Sequence, residues 1–228
     1  RRTRWCSTRS TPVEHAGSAC RALMNRSENM LVAPTVIREN LQISAHRCPK
    51  PMVRELRHIF PGVITGEEAP IAFPTVQHAV QDLVRVGESI EDEKDKLLNR
   101  FVAFAEEVCS QIKERGFWAD YIDPCSGLPM NTPSNGIYPE VEGMTRLLRY
   151  QAVSAGPCKV LLHPRWGSQI YPATMFTTAP EHVAVEVLRS FIDATTDQED
   201  ADMDSSEEAK YDGASREDSM EREAGPAA

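Results

Sequence analysis

One stretch dictates more than any other what this chain must build. From about Ile90 to Arg115, Leu97, Leu98, Phe101, Val102, Ala105, Val108, Cys109 and Ile112 recur at steps of three and four. That spacing is one wide apolar stripe on a long helix. Such a stripe needs a second layer of structure to cover it. Ser89 is expected to cap the helix, with Asp92 three residues on. Glu91, Asp92 and Glu93 sit at the positive end of the helix dipole, and Lys113 and Arg115 at the negative end. Gly116 supplies the left-handed stop. Cys109 lies on the stripe and is expected to act as a small buried hydrophobe.

The covering layer reads as strands. After Gly116 the period falls to two: Phe117, Ala119 and Tyr121 share one face, and Trp118, Asp120 and Ile122 the other. Asp123-Pro124-Cys125-Ser126-Gly127 is a turn, with Asp in its first place and Pro presetting φ in the second. Leu41, Ile43 and Ala45 alternate with polar residues and predict a half-buried strand. Cys48-Pro49-Lys50-Pro51 opens a short helix with Val53, Leu56, Ile59 and Phe60 on one side. Residues 71–86 read as strand and loop. Arg146 to Val153, Cys158 to His163 and Gln169 to Thr177 read as further strands, and Glu181 to Ile192 as a closing amphipathic helix. Together these elements predict an α+β domain with a mainly antiparallel sheet and a long packed helix.

Charge divides the chain into three parts. From residue 197 onward there are twelve Asp and Glu against three Lys and Arg, which accounts for the entire net charge of −9. With few large apolar residues, 196–228 reads as an acidic disordered tail. Residues 1–35 read as a disordered leader, with six Arg and two acids among the first thirty. Arg-rich, Ser-rich and acid-poor composition matches a mitochondrial targeting leader, and an untargeted leader fits it equally well. Residues 36–195 remain as the folded domain. No apolar run approaches the ~18 residues of a membrane helix.

Most familiar chemistry is missing from the pattern. The six cysteines form no C-x-x-C and the six histidines no H-x-x-x-H, so the usual zinc and thioredoxin-type spacings are absent. Reduced thiols in an intracellular protein are expected. There is no Gly-rich phosphate loop, nucleophile elbow or metalloprotease helix. Charges balance over residues 1–196, which leaves no basic stripe for nucleic acid. Asp120 and Asp123 fall on opposite faces of a strand and make a poor acid/base pair. Cys125 is expected on an exposed turn. Cys48 precedes a helix start, where a dipole favours a thiolate. Cys158, between Gly156-Pro157 and Lys159, opens a strand where a thiol can face solvent.

The run Gly116-Phe117-Trp118-Ala119-Asp120-Tyr121-Ile122-Asp123-Pro124-Cys125-Ser126-Gly127-Leu128 resembles the methylmalonic aciduria and homocystinuria type D protein family. Cys48-Pro49, Ile59-Phe60-Pro61, Cys158-Lys159-Val160 followed by His163 and Trp166-Gly167, and Met175-Phe176-Thr177 keep the family's order. The resemblance spans roughly Leu41 to Leu188. It implies a non-enzymatic adaptor with a flavin-nitroreductase-like fold that binds no flavin. Its cobalamin is presented by a partner, the type C cobalamin-processing protein, and directed to cytosolic methionine synthase or to mitochondrial methylmalonyl-CoA mutase. Cytoplasm and mitochondrion are the implied locations, with methionine synthase a further partner, and neither nucleic acid nor membrane. Met24 and Met30 are candidate internal starts for a cytosolic form.

Family members can carry two adjacent cysteines before Lys-Val. This chain has Pro157-Cys158, so Cys158 either takes the cobalt-ligating role or the ligation is absent. The resemblance also points to Trp118, Asp120, Asp123, Lys159, His163 and Trp166 as partner-facing residues. A flavin-dependent oxidoreductase on the same fold is the alternative.

Overall fold

The computed structural model describes residues 29–156 and 158–195. The leader up to residue 28, Pro157 and the acidic tail from residue 196 lie outside them.

Five strands form one sheet: β1 (Met30–Ile37), β2 (Leu41–Arg47), β3 (Ile71–His78), β4 (Ala119–Tyr121) and β7 (Ile170–Thr177). Their order is β1-β2-β3-β7-β4, and every neighbouring pair is antiparallel. A separate hairpin joins β5 (Gln151–Ala155) to β6 (Cys158–Leu162). The α-helices are α1 (Lys50–Ile59), α2 (Glu88–Glu114), α3 (Glu140–Leu147) and α4 (181–195). The molecule is α+β with a mostly antiparallel sheet and four helices among the described residues.

The sheet is covered on both faces. On one side the α2 stripe (Phe101, Ala105, Val108, Ile112) and α4 (Val187, Leu188, Phe191) pack on Ile43, Phe73, Ala119, Tyr121 and Met175. On the other, α1 (Met52, Leu56) and α3 (Met144, Leu147) pack with Leu161 on Ala72, Val76, Ile122 and Phe176. The two-residue period read across 117–122 therefore sorts its side chains between two cores. Burying an apolar side chain of this size contributes about 1.5–3 kcal/mol, so the double-sided sheet supplies most of the driving force.

Several expectations change. β1 begins at Met30, inside the segment assigned to the leader, so the folded part starts before residue 36. A tight turn, with Glu39 and Asn40 at φ of 58° and 57°, returns β1 onto β2. β2 is buried on both faces, because α1 and the hairpin cover its polar side. The long helix starts at Glu88 with Gly87 as its N-cap, and the Ser89 hydroxyl donates instead to Gln81. The segment from Arg146 to Val153 is not one strand. It is the end of α3, a turn with Arg149 at φ 62°, and then β5. Val141, Met144, Leu147 and Leu148 meet the core at helical steps, which outweighs the strand propensity of Tyr150 and Val153. Gly116 does adopt positive φ, 84°, and stops α2.

Gly143 is fixed by packing. A Cβ there would lie 1.8 Å from the hydroxyl of the buried Tyr138. Gly143→Ala should destabilise the protein by about 1–3 kcal/mol, the range for overpacking a filled site. Urea unfolding measures this, and an unchanged midpoint would contradict the packing described.

Candidate functional site

Strand β5 of the β5–β6 hairpin stands out because little covers it. All five residues of β5 are exposed, Val153 among them. Ala155 pairs with Cys158, and Gly156 (φ 61°) begins the short connection between them. A glycine with positive φ suits such a hairpin turn. Cys158 is thus the first residue of β6, at the end of the hairpin remote from the sheet anchor.

That anchor is a buried clasp. His163 follows β6 and closes a small loop with Gly167 through two backbone hydrogen bonds of 2.9 Å. Its Nδ1 accepts from the amides of Arg165 and Trp166, both at 3.1 Å. The ring proton must then sit on Nε2, which donates to Gln42 Oε1 at 3.0 Å. This leaves the Gln42 amide nitrogen to donate to the Tyr150 hydroxyl at 2.7 Å. Gln42 belongs to β2, His163 ends the hairpin and Tyr150 begins it, so one side chain of the sheet grips both ends. The rings also stack: Trp166 lies between His163 (4.3 Å) and His78 (5.3 Å), and Tyr150 meets His163 edge-on at 5.0 Å.

Burial, with the charges of His78 and Arg165, lowers the His163 pKa to about 4. Geometry agrees, since Nδ1 already faces two N–H donors. Lys159, exposed on β6, pairs with Glu142 on α3 at 2.5 Å. Between α3 and the hairpin lies an open groove of about 270 Å³ that Val141, Thr145 and Val153 help to line.

The other motif forms a second structural unit. Asp120 is fully buried. Its carboxylate accepts from the Tyr121 amide (2.8 Å), the Asn131 amide (3.1 Å) and the Asn131 side chain (3.0 Å), which pins the loop after β4. Trp118 packs edge-on against Phe60 and donates from Nε1 to the Thr132 hydroxyl at 3.2 Å. Asp123 caps the turn by accepting from the Cys125 and Ser126 amides and the Ser126 hydroxyl. Burial opposes its ionisation, but those hydrogen bonds outweigh it and hold the carboxyl below its usual range.

Of the residues expected to face a partner, Lys159 and the partly buried Trp118, Asp123 and Trp166 reach the surface. Asp120 and His163 are corrected: both are buried and act by positioning their neighbours. Cys48 is likewise corrected. It is buried, and burial pushes its thiol far above the ordinary value, against a thiolate at the helix start. Cys109 is buried, with its pKa raised to about 12 mainly by burial, and Cys125 is exposed. Among the described residues no group of three or more His, Cys, Asp or Glu is placed to hold a metal ion, and no helix is long and apolar enough to cross a membrane. The clasp escaped sequence reasoning because Gln42 and His163 are 121 residues apart.

The sequence model of the methylmalonic aciduria and homocystinuria type D protein family matches residues 9–188. The chain belongs to that family. Among curated relatives, the cobalamin trafficking protein CblD of Homo sapiens is 30% identical over 140 residues, covering 61% of this chain and 47% of that protein. The protein of the same name from Rattus norvegicus is 30% identical over 146 residues, 63% of this chain and 49% of its own length. That of Gallus gallus is 29% identical over 140 residues, with 61% and 47% covered. The chain spans about half the length of the curated relatives it matches.

Two measurements test the clasp. Gln42→Leu leaves the His163 donor and the Tyr150 hydroxyl without their partner and should cost about 2–4 kcal/mol, with amide exchange rising first in β5 and β6. His163 and His46, both lowered to about 4, favour the neutral form when folded. Their contribution is complete above the unfolded value near 6.5 and is lost as pH falls through about 4. The ring-carbon shift of His163 should therefore titrate near 4; a midpoint near 6.5 would contradict the assigned tautomer.

Proposed function

We propose that this protein is a non-enzymatic adaptor in cobalamin trafficking. It docks the type C cobalamin-processing protein and offers the Cys158 thiolate to the cobalt of the cobalamin that partner carries. The observation that carries this reading is the position of Cys158 at the end of the hairpin remote from its clasp, paired with the exposed strand β5. A ligand intended for another protein's cargo must project, and its base must not yield when the complex forms. A soft thiolate suits a transition-metal centre. Family membership supports the cargo.

The rest of the reading follows from this role. The partner would supply the cobalamin, and the adaptor would direct it toward methionine synthase in the cytoplasm and methylmalonyl-CoA mutase in the mitochondrion. The Arg-rich start agrees with the mitochondrial branch. An antiparallel sheet enclosed between helices agrees with a flavin-nitroreductase-like ancestry. The exposed Lys159 and the partly buried Trp166, near the ends of the hairpin strand, would meet the partner. The flavin-dependent oxidoreductase alternative predicts yellow protein after purification.

One experiment decides. Mixed with cobalamin-loaded type C protein, the chain should co-elute on size exclusion, and the peak should show a thiolate-type change in the cobalamin absorption spectrum. Cys158→Ser should keep the fold and the co-elution while losing the spectral change. A spectrum unchanged by that substitution would reject Cys158 as ligand, and separate elution would reject the adaptor reading.

A further inference from the structure

Among the described residues four strands have an edge that pairs with no other strand: β1 and β4 at the sides of the five-stranded sheet, and β5 and β6 in the hairpin. An unpaired edge is a template for a further strand unless something blunts it. Three of the four are blunted. β1 carries Pro34 and two register shifts, between Met30 and Val32 and between Val32 and Thr35. β4 is three residues long, and the chain after it folds back so that Ile122 bridges Pro129. β6 carries Lys159, held by Glu142 of α3, and its Leu161 is buried in the core. β5 has none of these devices. Gln151-Ala152-Val153-Ser154-Ala155 contains no charge and no proline, and its register with β6 runs unbroken from Gln151–Leu162 to Ala155–Cys158. All five residues are exposed, Val153 by 44%.

We propose that an extended segment of a partner protein adds to the free edge of β5 as a third strand of the hairpin. The partner is the one of the adaptor reading, on which this inference rests, and strand addition is its mode of docking. Backbone groups of β5 that point away from β6 supply the hydrogen bonds, and alternate side chains set the fit. Opposite residues of an antiparallel pair share a face, so Ala152 and Ser154 lie on the side of Leu161 and Lys159, toward α3. Both are small, so side chains of the incoming strand can reach over them into the groove that Val141 and Thr145 line. Glu142, Lys159 and Arg146 on its rim are already in ion pairs. The segment that crosses it is therefore apolar at alternate positions. Because the Gln42 clasp fixes the root, β5 is presented already extended, which lowers the ordering cost of pairing. A second copy of this chain is a poorer occupant. Self-pairing of β5 gives a ladder of about 17 Å. That ladder alone falls short of the ~1,200 Å² that a stable interface buries, so the occupant is a protein that also grips the molecule elsewhere.

Residue-resolved amide exchange of the full chain, alone and with cobalamin-loaded type C protein, tests this. In the complex, alternate amides of Gln151–Ala155, those that β6 leaves unpaired, should slow by at least about tenfold. Neighbouring amides of a strand point to opposite edges, so one of Val153 and Ser154 donates toward β6 and the other outward. Proline at the outward position is tolerated in an edge strand but cannot donate to an added one. Of Val153→Pro and Ser154→Pro, one should therefore keep the circular dichroism spectrum and the Tm while docking about tenfold more weakly. A complex that leaves β5 exchange unchanged would overturn strand addition and spare the adaptor reading. So would unweakened docking by the proline variant that keeps the fold. Alternate protection in the chain alone, with elution as a dimer, would give the edge to a second copy and also overturn the proposal. Separate elution of the unmodified chain and the type C protein would overturn both readings together.

Discussion

The Gln42 side chain is the interaction on which the rest of the molecule's organisation rests. It has one acceptor and one donor group, and each is used on a different end of the same hairpin. The tautomer of His163 is fixed by two backbone amides, so the amide of Gln42 has one satisfactory orientation. A buried polar network of this kind stabilises only when every member is satisfied. Here each group is paired, and the stacked rings of Trp166 and His78 shield it from water. The hairpin can then be exposed along β5 without being loose at its root.

A second consequence concerns the recognisable motif after the long helix. Its length and specificity suggest a contact surface, yet its centre is a buried carboxylate. Asp120 holds Asn131 and so fixes the loop that carries Asp123 and Cys125. The run is best understood as folding information that places a surface loop. The same holds for the His163–Trp166–Gly167 run, whose buried His163 sets the clasp.

Legibility followed sequence distance. Helix α2, its stop at Gly116, the two faces of 117–122 and strand β7 were readable because each rests on local period or turn chemistry. Strand β1 was missed because Arg and Ser content nearby outweighed a real signal: β-branched Val32, Val36 and Ile37 before the Glu39-Asn40 turn. Helix α3 was misread because its apolar positions run directly into a strand. The burial of Gln42, Ser44 and His46 was unreadable, since alternating polarity normally marks a wet face. Only the arrival of His163 and Tyr150 from far along the chain turns that face inward.

The end of the hairpin beyond the Ala155–Cys158 pair has an evolutionary implication. Because the clasp lies at the far end of β5 and β6, residues at the bend contribute little to holding the domain together. Selection for foldability therefore exerts scant pressure at that end of the hairpin. Chemistry at the tip is then free to drift, be lost or be regained one codon at a time.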